Sequence, residues 1–174
     1  MLKLGATFEN IPILSLRTGN AIATTQKIIF NPHNLKVEGW YVVDNVDKTI
    51  LILISNDVRE IIDRGIVIND HEVLSPKKEL IRLREVIDLN FELLGKNVVT
   101  DSGRKVGKVV DFAIETNNFF VKKIYASQPL LKNFTGGTLS IDRSQIVEIT
   151  NKKIVVEDTA ILVKDAVPAP SLSS

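Results

Sequence analysis

One pattern of turns and strands occurs twice in this chain of 174 residues. Residues 18–42 read TGNAIATTQKIIFNPHNLKVEGWYV, and residues 102–126 read SGRKVGKVVDFAIETNNFFVKKIYA. The two stretches align without a gap, so that Gly19 falls on Gly103 and the apolar positions match along the block. A pattern that recurs at a fixed spacing is typical of duplicated structural units. We therefore expect two units of the same architecture, here called the first repeat and the second repeat.

Short apolar runs separated by turn residues predict strands in both repeats. Residues 35–45 alternate between apolar and polar side chains, and the β-branched run at 50–54 is short enough for a buried strand. The strand order continues beyond the aligned block, because residues 154–156 (Ile-Val-Val) take the place of residues 66–68 (Ile-Val-Ile). The sequence therefore predicts an all-β fold.

The segment between the two repeats has features of a helix. Ser75 can cap a helix and Pro76 suits its first position, which predicts a short helix that includes residues 79–83. Beyond Asp165, two prolines and three serines in nine residues predict a flexible tail. The predicted organisation is a first domain at residues 1–74, a helical linker at 75–89, a second domain at 90–160 and a flexible tail at 161–174.

The composition excludes several classes of protein. Hydrophobic residues make up 44% and charged residues 25% of the chain, which is typical of a soluble globular protein. A formal net charge of +1 argues against a strongly electrostatic nucleic-acid binder. The absence of cysteine excludes disulfides, cysteine-ligated zinc and thiol nucleophiles. The N-terminus does not read as a signal peptide, and the apolar run at 50–54 is far shorter than the roughly 20 residues of a membrane span. We expect a cytoplasmic protein without membrane insertion.

The second repeat resembles the PRC-barrel domain through residues 103–111, Gly-Arg-Lys-Val-Gly-Lys-Val-Val-Asp. This small β-barrel is shared by the photosynthetic reaction centre H subunit and the C-terminal half of a small-subunit ribosome maturation factor. The first repeat resembles it less closely, because Ala23 replaces the second glycine and Lys27 replaces the aspartate. The resemblance covers about residues 10–72 and 90–158, and it implies two tandem small PRC-type β-barrels with a short connecting helix.

The resemblance also implies a kind of function. Family members are mostly adaptor-like and carry no common catalytic set, so it implies a non-enzymatic adaptor that binds a protein or ribonucleoprotein partner. The alternative is an RNA-associated factor in ribosome maturation or RNA processing. No cofactor is implied by either reading.

Three glycines are assigned to the backbone rather than to chemistry. Gly19 and Gly103 lie in predicted turns, where glycine permits a positive φ. Gly107 lies inside a predicted strand, where glycine usually marks a bulge or a close approach of another backbone. These features suit a small barrel that bends tightly in order to close.

The sequence offers no convincing metal or catalytic site. The only two histidines are His33, interpreted as a turn residue, and His71, which lies in the polar run 69–72 that we interpret as a solvated loop. The chain contains no Gly-x-Ser-x-Gly elbow, no P-loop and no dinucleotide-binding fingerprint. We therefore expect no catalytic, metal-binding or cofactor-binding residues.

Two groups of side chains are candidates for binding a partner. Apolar side chains in the second repeat suggest a protein interface, although packing between the repeats would explain them equally well; they are Phe120, Leu130, Leu131 and Phe134. Basic side chains near the predicted helix suggest nucleic-acid binding, although a solvated face is the simpler explanation; they are Lys77, Lys78, Arg82 and Arg84. Aromatic residues are only 6% of the chain, so platforms for base stacking would be sparse.

Overall fold

The computed structural model describes residues 1–128 and 137–159. Within them the fold is all-β, which confirms the prediction from the sequence. The strands form two sheets, and the described residues contain one short α-helix.

The first sheet has six strands, preceded in the chain by the short strand β1 (Leu2–Leu4). These six are β2 (Pro12–Ser15), β3 (Ala21–Asn31), β4 (Lys36–Asp44), β5 (Ile50–Ile54), β6 (Val58–Ile62) and β7 (Gly65–Ile68). Their order in the sheet is β5-β4-β3-β2-β7-β6. Neighbouring strands are antiparallel except β2 and β7, which run parallel.

The second sheet repeats this arrangement. Its main strands are β8 (Asn97–Thr100), β9 (Lys105–Glu115), β10 (Val121–Ser127), β11 (Thr138–Asp142), β12 (Ile146–Ile149) and β13 (Lys153–Val156). Their order is β11-β10-β9-β8-β13-β12, and β8 and β13 are the parallel pair. Strand β1 also belongs to this sheet, because it pairs with the end of β9. The sheets therefore share one strand order, strand for strand.

The chain folds into two compact units whose limits cross the strands β9 and β10. Unit 1 contains residues 1–93 and 111–122, and unit 2 contains residues 94–110 and those from 123 onward. The domain boundaries given above stay a prediction, and the predicted tail at 161–174 lies outside the described residues.

Aromatic rings fill the core of unit 1. Trp40 is fully buried, stacks on Phe8 at 5.9 Å between ring centroids and meets Phe119 edge-on at 5.6 Å. Phe30 meets Phe112 edge-on at 5.1 Å. Such pairs contribute roughly 0.5–1.5 kcal/mol each beyond the burial of their surface. The aromatic residues that interrupt the aliphatic strands are therefore concentrated in one core.

Two turns in unit 1 have the same backbone conformation. Leu35 has a φ of +55° and Phe119 a φ of +61°, which is the left-handed region that bulky residues rarely adopt. In each turn the preceding asparagine helps to hold this conformation. The Oδ1 atoms of Asn34 and Asn118 accept the backbone N–H two residues further on, at 2.9 and 3.1 Å.

The same two turns are joined by a reciprocal pair of backbone hydrogen bonds. Val37 N–H donates to the carbonyl of Phe119 at 2.8 Å, and Val121 N–H donates to the carbonyl of Leu35 at 2.9 Å. These residues correspond in the sequence alignment of the repeats. The duplicated turn therefore contributes to both sides of one contact inside unit 1.

The segment predicted to be helical is less regular than expected. Residues 77–79 and 81–83 form separate 3₁₀ turns, and the helix α1 begins only at Arg84 and ends at Asp88. The predicted helix over residues 79–83 is wrong, because Leu80 breaks the helical path with φ −87° and ψ 63°.

The apolar face of that segment packs within unit 1. Leu80 and Leu83 lie against a buried group that we call the isoleucine cluster. It consists of Ile29, Ile52 and Ile87, which are at most 5% exposed. The segment is thus held against the first sheet by apolar burial.

In unit 2, Gly107 lies where two backbones approach closely. Its φ is +156°, and a Cβ atom added there would lie 1.6 Å from the carbonyl oxygen of Ser127. The register of β8 against β9 shifts beside it. Gly103 has a φ of +88° but nothing within 4 Å of an added Cβ, so its turn requires only the dihedral angle.

Candidate functional site

A groove of about 500 Å³ lies in unit 1 at the end of β5. It is lined by Glu38 of β4, by residues 54–56 and by residues 79–83. Its volume falls within the range of about 300–1,000 Å³ that is usual for ligand-binding clefts. We call it the β5 groove.

The two 3₁₀ turns explain why the groove is apolar. Leu80, which lies between the two turns, and Leu83, which ends the second, both face the isoleucine cluster. Ile81 lies off that side, and 75% of its surface is exposed. A large aliphatic side chain therefore stands in solvent on the wall of the groove.

The charges around the groove are mixed. Glu38 is largely buried, accepts a hydrogen bond from Asn31 Nδ2 at 3.0 Å and lies 3.5 Å from Lys36 Nζ. Glu79 and Arg82 are exposed on the opposite wall. The lining thus carries two carboxylates and one guanidinium around an apolar floor.

Strand β5 is an outer strand of the first sheet. The carbonyl of Thr49 accepts the N–H of Asp44 at 2.9 Å, which sets the alternation of the β4–β5 pair. In an antiparallel pair, every second residue directs its N–H and C=O away from the partner strand. The outward groups of β5 therefore belong to Ile50, Ile52 and Ile54, and Ile54 lines the groove.

One position on this edge is already paired. Ile52 and Ser75 exchange two backbone hydrogen bonds, at 2.8 and 3.0 Å, in an antiparallel bridge. Within residues 1–128 and 137–159, Ser75 is the one residue bridged to the outer edge of β5.

The four basic residues predicted to bind nucleic acid do not share a helical face, because no helix joins them. Lys77 forms an ion pair with Asp88 at 2.8 Å, and this carboxylate raises the pKa of Lys77. Arg84 donates to the carbonyl of Lys78 at 3.2 Å. Arg82 lines the β5 groove.

The predicted protein-binding residues are only partly described. Phe120 is half-buried and forms a backbone bridge with Lys36 in unit 1, next to the joined turns. Leu130, Leu131 and Phe134 lie outside the described residues. A role for these four residues in binding stays a prediction.

A second polar group lies at the C-terminal end of β4. Asp44 is only 3% exposed, and its carboxylate contacts His71 Nε2 and accepts the N–H of Val46 at 2.7 Å. The hydrogen bond with His71, and after it the hydrogen bond from Val46 N–H, lower the pKa of Asp44. Asp44 therefore stays ionised and fixes the turn that follows β4.

In the polar run 69–72, Asn69, His71 and Glu72 are exposed as expected of a solvated loop, but Asp70 is buried. Asp70 is 4% exposed, accepts a hydrogen bond from the hydroxyl of Ser15 at 2.8 Å and forms an ion pair with Arg17. The Ser15 hydrogen bond is the main cause that lowers the pKa of Asp70. The interpretation was wrong for Asp70 because the carboxylate is held between the ends of β2 and β7.

Unit 2 has a related arrangement at the ends of β8 and β13. Ser102 donates to Asp158 at 2.9 Å, and Thr100 and Ser102 lie within hydrogen-bond distance of each other at 2.9 Å. The hydroxyls of Thr100 and then Ser102 lower the pKa of Asp158. A hydroxyl and a carboxylate thus close the parallel pair of strands in both sheets, which indicates a structural role.

The described residues contain no candidate metal cluster and no candidate membrane-spanning helix. Over residues 1–128 and 137–159, no three histidine, cysteine, aspartate or glutamate side chains are arranged to hold a metal ion. His33 is exposed in its turn. No helix of the described part has both the length and the apolar character needed to cross a membrane.

Sequence reasoning missed Ile81 and the two buried aspartates, although signals for two of the three were present. The spacing that placed Leu80 and Leu83 on one face leaves Ile81 off it. Asp70 and Asp158 each follow the last short strand of a repeat by two residues. Asp44 has no such signal, because its partner His71 is distant in sequence.

The comparison with protein families concerns the second repeat. The family model of the PRC-barrel domain matches residues 85–164. The family predicted from the sequence is therefore confirmed, on that part of the chain. The assignment of the first repeat to the same family stays a prediction. No curated protein matches the chain.

Proposed function

We propose that this protein is a non-enzymatic docking module of the cytoplasm that binds a protein partner through the β5 groove. The observation that carries the proposal is the exposure of Ile81 beside an apolar groove of about 500 Å³. Exposed apolar surface that borders a concave site is typical of interaction sites. The PRC-barrel domain, a small β-barrel module of interaction proteins, supports a binding role rather than a chemical one.

The second candidate function, binding of RNA, has less support. Phosphate binding requires basic side chains that are free to approach the backbone of the nucleic acid. Lys77 is paired with Asp88, and Arg84 is bonded to the carbonyl of Lys78. Residues 75–89 contain four basic and three acidic side chains, so the segment has a charge of only +1.

The proposal is tested by capture from a lysate of the native host on the immobilised full chain, with and without ribonuclease. Ile81→Asp places a charge on the wall of the groove. Val46→Asp is the matched control, because Val46 is 90% exposed and lies in the turn after β4. The proposal predicts a discrete protein that the wild type and Val46→Asp retain, that Ile81→Asp loses and that ribonuclease does not release.

Two results would contradict the proposal. If ribonuclease releases everything that the wild type captures, and changing Lys78, Arg82 and Arg84 to glutamate abolishes capture, the protein is an RNA-binding factor. If the captured proteins are the same for wild type and Ile81→Asp, the β5 groove is not the docking site.

A further inference from the structure

We propose that unit 2 binds the surface of an anionic phospholipid membrane through the outer face of its sheet. Three lysines define this surface, which we call the lysine face; they are Lys105, Lys108 and Lys153. The inference goes beyond the proposed function, because the β5 groove lies in unit 1.

The first argument is the register that brings the three lysines onto one face. Asn97 of β8 pairs with Lys108 on one side and with Lys153 on the other. Directly paired residues point to the same face of a sheet, so these two lysines lie on one face, about 10 Å apart across two strand spacings. Lys105 pairs with Val99, two residues after Asn97, and therefore lies on that face as well.

The second argument is that the lysines are available. All three are exposed, and within residues 1–128 and 137–159 they form no ion pair. Lys77 in the linker, by contrast, is paired with Asp88. Glu148 of β12 places one carboxylate on the same face, since it pairs with Val155, two residues after Lys153. Three lysines against this carboxylate leave the face positively charged.

The third argument is a pair of exposed aliphatic side chains beside the lysines. Val110 follows Lys108 by two residues in β9 and is 50% exposed. Leu94 is 43% exposed and lies beside Val110, because Gly95 N–H donates to the carbonyl of Val109 at 2.8 Å. Basic and exposed aliphatic side chains together are typical of surfaces that lie on anionic membranes, where the charges reach the phosphates and the apolar groups enter the interface.

The residue types of the face favour lipid over other anionic partners. Lysine is a point charge on a flexible stem, whereas arginine provides the fixed bidentate recognition of a single phosphate or carboxylate. The strand segments that form the face, 94–99, 105–110 and 153–155, contain no arginine and no aromatic residue. They therefore lack the side chains that stack on the bases of single-stranded RNA or that anchor a protein interface.

The test is co-sedimentation of the full-length chain with lipid vesicles at low salt. One kind of vesicle is phosphatidylcholine, and the other is an equal mixture of phosphatidylcholine and phosphatidylglycerol. The decisive variant combines Lys108→Gln with Lys153→Gln. The matched control combines Arg64→Gln with Lys78→Gln, which removes the same charge from exposed positions of unit 1.

The inference predicts binding to the mixed vesicles, little binding to phosphatidylcholine alone, and release by salt. A lysine near an anionic membrane contributes roughly fivefold to binding, so the decisive variant should bind about 25-fold more weakly than the wild type. The matched control should keep most of its binding. Val110→Asn should weaken binding without changing its salt dependence. Ile81→Asp should bind vesicles as the wild type does, which separates this inference from the docking function.

Three results would overturn the inference. Equal binding to both kinds of vesicle would show that lipid charge is not recognised. Equal losses for the decisive variant and the matched control would show that net charge, and not the lysine face, decides binding. No binding to the mixed vesicles would also contradict the inference, and an RNA oligonucleotide or polyglutamate that then binds through Lys108 and Lys153 would identify a different anionic partner.

Discussion

The two sheets share one strand order, but different side chains lie where their parallel strands end. Where β2 and β7 end in the first sheet, Ser15 bonds to Asp70, which is almost fully buried. Where β8 and β13 end in the second sheet, Ser102 bonds to Asp158, which is half-exposed. Because both sheets have the same strand order, that order does not depend on which residue donates the hydrogen bond to the aspartate. The serine–aspartate pair of the first repeat is therefore more deeply buried than that of the second repeat.

The repeats also differ at the second glycine of the PRC-barrel motif. Gly107 adopts a φ of +156° against the carbonyl of Ser127, whereas its counterpart Ala23 lies in β3 opposite Asp44. Ala23 carries a Cβ atom and is fully buried, so the core of the first repeat has room for that atom at this position. The motif glycine is therefore a requirement of the second repeat rather than of the strand order.

The largest expected effect tests this difference. Gly107→Ala should destabilise the protein by about 3 kcal/mol or more, because the new Cβ meets a backbone oxygen and the φ is strained. Gly103→Ala, at a φ of +88° in open space, should cost only about 1–2 kcal/mol. Urea unfolding of both variants measures the contrast, and equal losses would show that the close approach to Ser127 is absent.

The next prediction compares the two serine–aspartate pairs by changing the serine of each pair to alanine. Ser15→Ala removes the donor to a carboxylate that water hardly reaches, so it should lower the midpoint of urea unfolding clearly. Ser102→Ala removes one of the two hydroxyls beside Asp158, where Thr100 remains and water can replace the lost group, and it should change the midpoint little. The comparison of burial would be refuted by a larger loss for Ser102→Ala.

A third prediction concerns Asp44, whose counterpart in the second repeat is the neutral Gln128. The pKa of Asp44 is lower in the folded than in the unfolded chain, where it is about 3.9. Its ionisation therefore stabilises the fold above about pH 4, and this contribution is lost as the pH falls through the folded pKa.

Asp44→Asn should consequently reduce stability at pH 7, and its difference from the wild type should shrink on acidification. Urea midpoints measured from neutral pH to about pH 3 test the sign. A difference that stays constant over this range would show that the His71 contact does not depend on the charge of Asp44.

The smallest expected effect is the change in protein stability when Ile81, on the wall of the groove, is replaced. Ile81 is exposed, so Ile81→Asp should change the free energy of unfolding by no more than about 0.5 kcal/mol. Val46→Asp in its exposed turn should behave alike. A large loss of unfolding free energy for Ile81→Asp alone would mean that Ile81 stabilises the fold and is not available to bind a partner.

The sequence was sufficient for the fold because the repeats reinforce each other. Turn residues such as Asn34 and Asn118 recur at matched positions, and each fixes a left-handed residue immediately after it. The helical interpretation of residues 79–83 failed because Leu80 and Leu83 both reach the isoleucine cluster without a continuous helix, from either side of a break in the backbone at Leu80.

The candidate site was harder to predict than the fold. The β5 groove depends on where β5 ends and on how residues 79–83 turn, and neither follows from the apolar pattern. The basic residues suggested nucleic-acid binding because of their charge. Asp88 pairs with Lys77 because α1 brings the carboxylate back toward that side chain. Contacts of this kind are decided by tertiary geometry.

Photo-crosslinking in the native host tests the docking claim most directly. A photoreactive amino acid replaces Ile81 in one chain and Val46 in a control chain, since both positions are exposed. The account predicts a discrete protein adduct from position 81 that survives ribonuclease and is absent from position 46. No adduct at position 81, or the same adducts at both positions, would contradict a docking site in the β5 groove.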